Sequence, residues 1–294
     1  MGGFFTRMLL AWLLGSGANL AFSQEDAAPA AVDIVISSGL EGGGYWNAGN
    51  RLQTVASGMG LTVENQASTG SLINLRKLLD KNSPVSLAFA QADALQYYLN
   101  DKPDAAQAIE TLETIGQECV FIISDSDSSI RSDKDMQKER RMGLGIRSPN
   151  SGIRVTFDYM SSLVPELEYI SVHYGDTVDM MENFTTALTK VKAVMIVHGP
   201  NERSPEIDLV MANPDRFRFV KIADKRLIQN PSGGEAAYRS VRVTPGAVKS
   251  AGAVQTICMR GLLLANRNKL SVEQRNKLTE LINNHWGQVY ATPE

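Results

Sequence analysis

The chain has 294 residues, 43% of them hydrophobic, and sets 29 Lys and Arg against 32 Asp and Glu for a formal net charge of −3. That length is enough for two lobes of ordinary domain size. The near balance of charge gives no reason to expect nucleic acid as a partner.

The first residues read as a leader. Arg7 supplies a positive start, and Met8 to Leu14 a short apolar run. Ala21-Phe22-Ser23 then fits a small-x-small cleavage site before Gln24, which predicts a signal peptide over 1–23 and export. The run is far short of the roughly 20 residues a membrane span needs. Glu25 to Ala31 reads as a flexible lead-in, and no later segment is apolar enough to span a bilayer. Cys119 and Cys258 could pair in an oxidising compartment. Both lie in apolar strand-like runs where a buried reduced cysteine is also common, so both states stay open.

Strand and helix signals alternate from Val32 onward, which argues for βα units and mostly parallel sheets. Val32–Ser37 reads as a strand, followed by a Gly-rich loop and a helix burying Leu52, Val55, Ala56 and Met59. Leu61–Asn65 is the next strand, then a Ser/Thr/Gly loop and a helix with Leu72, Leu75 and Leu79 on one face. Val85–Ala90 is a third strand, and Ala92–Leu99 a helix. An apolar strand, Cys119–Ser124, precedes a charged stretch from Asp125 to Arg141. Its acids are out of register for a Ca²⁺ loop, so a solvated turn and short helix is expected.

The pattern then restarts. Arg141–Ile146 is a strand, the loop RSPNSG follows, and a helix carries Val155, Tyr159 and Leu163. Strands are expected at Leu167–Val172, Ala193–Val197, Phe217–Ile222 and Gln255–Leu264. Helices are expected at Asp176–Leu188, at Glu206–Met211 and, behind a Ser271-x-x-Gln274 capping box, at Ser271–Trp286. A half that restarts suggests two α/β lobes joined by crossing strands around a cleft.

Familiar catalytic signatures (HExxH, CxxC, GxSxG and the phosphate-binding Walker loop) do not occur. His173, His198 and His285 are scattered without metal-ligand spacing; only His198, at the end of a buried strand, is placed to face the cleft. Gly42 to Gly44 with Glu64 some way on could suggest a dinucleotide. The run GGGYWNAG does not give GxGxxG, however, and Tyr45-Trp46 would stand where a pyrophosphate must approach backbone. No cofactor and no metal are expected.

Two strand-to-helix loops within Val32–Asp93 do offer unpaired N–H groups to an anion such as a carboxylate or phosphate. The succession GGGYWNAG, ASTGSLINLRKLL, VSLAFAQADAL, GIRSPNSGIRV and AVMIVHGP resembles the TAXI-type solute-binding proteins of tripartite ATP-independent periplasmic (TRAP) transporters. The resemblance runs from about Val32 to Asn266. It implies an α/β, two-lobed type II periplasmic-binding-protein fold, each lobe a mostly parallel sheet flanked by helices. Lobe I would take 32–118 and 256–294, and lobe II 119–255. It further implies a periplasmic monomer, not an enzyme, that carries a glutamate- or glutamine-like amino acid or a dicarboxylate to a TRAP membrane permease. Three departures stand out. Ala92 replaces a usual Ser, Asn150-Ser151-Gly152-Ile153 replaces Gly-Ser-Gly-Thr, and the family's C-terminal extension has no counterpart soon after Trp286. A secreted α/β enzyme and a stand-alone sensor or scavenger are the alternatives.

The expected ligand contacts follow from these loops. Tyr45 would close over the ligand and offer its hydroxyl, with Gly43 and Gly44 admitting backbone N–H groups. Ser68, Thr69, Gly70 and Ser71 would serve a carboxylate or simply cap a helix. Gln91 and Asp93 end a strand at the cleft edge, where Asp93 could meet a ligand amine or cap the next helix. From the other lobe come Ser148, Asn150, Ser151 and Gly152, with Arg154 and Arg147 as possible carboxylate partners and His198 at its turn. Cys119–Ser124 and Ala253–Met259 are the hinge candidates.

Overall fold

In a computed structural model, residues 32–139, 142–184, 190–248 and 252–290 are described. The expected signal peptide over 1–23 lies outside them. Of the elements, β1 (Ile34–Ser37), α1 (Gly44–Gly58), β2 (Val63–Gln66), α2 (Ser71–Leu79), β3 (Val85–Gln91) and α3 (Ala92–Asp101) follow the alternation read from the sequence. Every residue of β1 and β3 is buried, as continuous apolar runs require in strands covered on both faces. Strands β2, β1 and β3 pair in parallel. One apolar cluster fills each face of this half: α1 and the last helix cover one side, α2 and α3 the other.

The second half repeats the scheme with β5 (Gly143–Ile146), α5 (Gly152–Leu163), β6 (Ser171–Tyr174), α6 (Thr177–Glu182), β7 (Val191–His198) and α7 (Pro205–Ala212). Here β6, β5 and β7 are parallel, again with an apolar cluster on each face. Two long strands tie the halves together. Strand β4 (Ile109–Asp125) and strand β10 (Val254–Asn266) run antiparallel to each other. Strand β10 also pairs with β3, and β4 with β7. The sheet therefore reads β2-β1-β3-β10-β4-β7-β5-β6, parallel at both ends and antiparallel in the middle.

Several expectations need correction. Strand β4 begins ten residues before Cys119, because Ile109, Leu112 and Ile115 face apolar clusters between polar neighbours. The strand expected at Leu167–Val172 starts at Ser171; Pro165–Tyr169 is a tight 3₁₀ turn with proline in its first position. The helix expected over Asp176–Leu188 ends at Glu182, and 185–189 lie outside the described residues. Residue 141, the expected start of β5, also lies outside them. The strand expected over Phe217–Ile222 is shorter, β8 (Phe217–Phe219), and β9 (Tyr238–Val243) was not foreseen; it adds to β10 as a half-exposed edge. The charged stretch does hold a short helix, α4 (Asp133–Lys138). Its Asp133 is buried, however, accepting from the N–H groups of Ala223 and Asp224 at 2.8 and 2.6 Å. The last helix, α8 (Val272–Val289), carries the foreseen capping box, Ser271 with Gln274.

Cys119 of β4 and Cys258 of β10 stand directly opposite each other, with Cα atoms 4.0 Å apart, and form a disulfide. That settles the pairing left open by the sequence. It also joins the two crossing strands where one half meets the other.

Candidate functional site

Three helices from the two halves start around one cavity of about 650 Å³. Gly43 and Gly44 open α1 there, Thr69, Gly70 and Ser71 open α2, and Ser148, Asn150, Ser151 and Gly152 open α5. The first N–H groups of a helix have no partner within it, and the helix dipole makes that end positive. Neither α1 nor α2 has a side-chain cap at its start. In α5 the Ser151 hydroxyl accepts from Arg154 N–H at 3.3 Å and donates to the Ser148 carbonyl at 2.8 Å. The three starts therefore give the cavity mouth a positive lining from both halves.

The two halves touch across this mouth. Gly70 has φ +143°, a conformation that favours glycine, and a Cβ there would stand 3.2 Å from the Gly152 nitrogen. A Cβ on Gly152 would meet the Gln91 side-chain oxygen at 2.5 Å. Gly70 thus permits a backbone approach that a Cβ would crowd, and Gly152 leaves room for the Gln91 side chain.

The cavity floor has the opposite character. Gln91 is only 5% exposed; its Nε2 donates to Glu118 Oε2 at 2.8 Å, while its Oε1 is buried without a hydrogen-bond partner. Burial pushes the Glu118 carboxyl up, with Asp93 and Glu202 adding like charge, against the hydrogen bond from Gln91 and the influence of the nearby Tyr45 hydroxyl. Glu202 is held below its usual range by His198, whose Nδ1 lies 3.9 Å away, and it accepts from Gly199 N–H at 3.0 Å. The Tyr290 hydroxyl is pushed up by burial and by the charges of Glu202 and Glu118. Two cations line the walls. Arg51 is tethered through Nε to the Val289 carbonyl at 2.6 Å, and the exposed Arg147 reaches Glu206 at 3.5 Å. A second cavity of about 420 Å³ adjoins the first and shares Gln117, Gly199, Glu202 and Tyr290 with it.

Twelve of the sequence-predicted residues line the main cavity: Gly43, Gly44, Tyr45, Thr69, Gly70, Ser71, Gln91, Ser148, Asn150, Ser151, Gly152 and His198. Tyr45 does so in an unexpected posture. Its ring packs on Phe89, with centroids 5.6 Å apart, and its buried hydroxyl turns toward Gly261 of β10. Burial and Glu118 push that hydroxyl well up, so it stays protonated. Three residues do not line the cavity. Ser68 braces the α2 loop by accepting from Gly70 N–H at 3.2 Å. Asp93 is fully buried behind the floor, accepting from the Tyr238 hydroxyl at 2.9 Å and Ala94 N–H at 2.7 Å. Arg154 lies along α5, bonded to Asp158 and to the Tyr174 hydroxyl. Sequence reasoning missed Arg51, Glu118, Glu202 and Tyr290. Its place directly before the apolar run Cys119–Ser124 was the signal that could have put Glu118 on a strand.

No protein-family model matches the sequence, and no curated protein matches it. Solved structures do. XAC2383 from Xanthomonas citri, bound to ATP, is 10% identical, with 85% of this chain and 82% of that one covered and a TM-score of 0.50. The binding component of an ABC phosphonate transporter from Pseudomonas aeruginosa is 15% identical, with 87% and 77% covered and a TM-score of 0.46. The periplasmic aliphatic sulphonate-binding protein of Escherichia coli is 12% identical, with 87% and 71% covered and a TM-score of 0.46. The likeness is one of fold, and the two looser matches add nothing to it. Two parallel-ended halves joined by the crossing strands β4 and β10 around a cleft give this chain the α/β, two-lobed fold of type II periplasmic binding proteins. The TAXI resemblance rests on the sequence motifs alone.

Proposed function

We propose that the protein is an exported solute-binding protein that captures a small organic anion between its lobes. Lobe I would comprise 32–118 and 256–294, lobe II 119–255, with β4 and β10 as the hinge. The observation that carries this reading is the convergence of three helix starts, from both halves, on one cavity. Ligand contacts supplied by both lobes exist together only when the lobes are closed, so binding would favour closure. Delivery to a TRAP-type membrane permease and a periplasmic location rest on the sequence motifs and the leader.

The test is a thermal-shift screen of the chain without its leader against amino acids and dicarboxylates. A ligand at 100 times its dissociation constant should stabilise the fold by about 2.7 kcal/mol. Ser151→Ala, which removes the α5 cap, should weaken that ligand by roughly tenfold while lowering unliganded stability by about 1 kcal/mol. Absence of any stabilising ligand would count against the reading; an unchanged affinity in Ser151→Ala would move the site away from α5.

A further inference from the structure

The cavity is electrically two-faced, and under the proposed solute-binding role, on which this inference rests, that bears on which anion it takes. Helix starts line the mouth, with Arg51 and Arg147 on the walls, so an acid group belongs at the helix starts. Glu118 lines the cavity from the crossing strand β4, and the half-exposed Glu202 lines it from the turn after β7. Among the described residues Glu118 has no cationic partner: the groups acting on it are hydrogen-bond donors and other carboxylates. Its Gln91 neighbour, nine-tenths buried, bonds it through Nε2 and leaves an acceptor oxygen unmatched beside Gly152. Buried acceptors and unneutralised carboxylates are costly unless a donor or a cation meets them. A dicarboxylate would bring its second negative charge against this floor. A ligand carrying a protonated amine would bring the missing cation and donors.

We infer that the cleft selects a zwitterion, with the ligand's acid group held at the helix starts and its protonated amine read by Glu118 and the free oxygen of Gln91. Glu118 is then the specificity-determining residue that separates amino acids from carboxylic acids of the same skeleton. Glu202, tied to His198 and to Gly199 N–H, adds negative potential without needing to touch the amine.

The experiment is calorimetric titration with matched pairs: L-glutamate and glutarate, L-glutamine and glutaramate, L-alanine and propionate, L-phenylalanine and 3-phenylpropionate. The amine-bearing member of any pair that binds should be tighter by about 30-fold or more, the usual consequence of meeting a buried charge with its partner. Glu118→Gln keeps the acceptor for Gln91 and removes the charge. It should reduce that preference at least about tenfold and leave the amine-free member as it was or tighter. Equal or tighter binding of the amine-free acids to the unaltered protein would overturn the inference and leave the solute-binding role standing. If no member of any pair binds at millimolar concentration, both fall. The preference in the unaltered protein decides the matter even if Glu118→Gln does not fold.

Discussion

The Cys119–Cys258 bridge closes a loop of 139 residues, so its removal should be felt chiefly in the unfolded chain. A cross-link of that span removes loop entropy worth about 5 kcal/mol at 25 °C in the chain-entropy model, and native bridges commonly deliver 2–4. With a urea slope of about 3 kcal/mol per molar for a chain of this size, a loss of about 2–5 kcal/mol moves the unfolding midpoint down by about 0.7 to 1.7 M. The assay is urea unfolding followed by far-ultraviolet circular dichroism, with and without a thiol reductant, beside the double variant Cys119→Ala/Cys258→Ala. The reduced protein keeps both sulfur atoms in place. The double variant also loses their buried volume, since both side chains are essentially inaccessible, and should lie lower still. A reduced protein whose midpoint stays within about 0.3 M of the oxidised one refutes the reasoning.

Two further outcomes are expected from the site's surroundings. Gly70→Ala places a side chain at φ +143° and 3.2 Å from the Gly152 nitrogen, so it should cost about 1–3 kcal/mol in strain. It should also weaken any ligand that needs the closed cleft; a melting temperature and an affinity both equal to the unaltered protein's would show that the loops do not need their present approach. Burial raises the Asp93 carboxyl in the folded state. The stability from this group is therefore full below about pH 4 and is lost as pH rises through the raised value. Asp93→Asn keeps a partner for Tyr238, whose hydroxyl can turn its hydrogen to the Thr156 carbonyl 3.2 Å away and accept from the new amide. The variant's urea midpoint should gain on the unaltered protein's between pH 5 and pH 8; a difference independent of pH in that window would rule the mechanism out.

The sequence made the βα units of each half legible because their signals are local. A buried parallel strand such as Val85–Gln91 is apolar throughout, and α2 repeats its leucines at helical spacing. The elements it hid owe their existence to partners. The first ten residues of β4 carry Glu110, Glu113 and Gln117 and look like a polar connection; they are a strand because β10 lies alongside. Strand β9 is polar and half exposed, and it too exists through β10. The same division runs through the site. The Gly, Ser and Thr residues at the helix starts are visible in the sequence as strand-loop-helix punctuation. Arg51, Glu118 and Tyr290 are distant in the chain, and only the packing of α1, β4 and the end of α8 brings them to one cavity.

That division has a physical consequence for the proposed mechanism. The groups suited to an acid sit on loops of both halves, where a change in the angle between lobes would bring them together or part them. Glu118 instead sits beside Cys119 on a crossing strand that is paired with β10 and bonded to it by the disulfide. A charge fixed in the sheet at the junction keeps its position whichever way the lobes turn. On this reading the floor would interrogate the ligand's amine before closure, and the helix starts would hold its acid group afterwards. Selection by charge and commitment by closure would then be separate steps. A change at Glu118 should alter which ligands bind, whereas a change at Gly70 should weaken all of them alike.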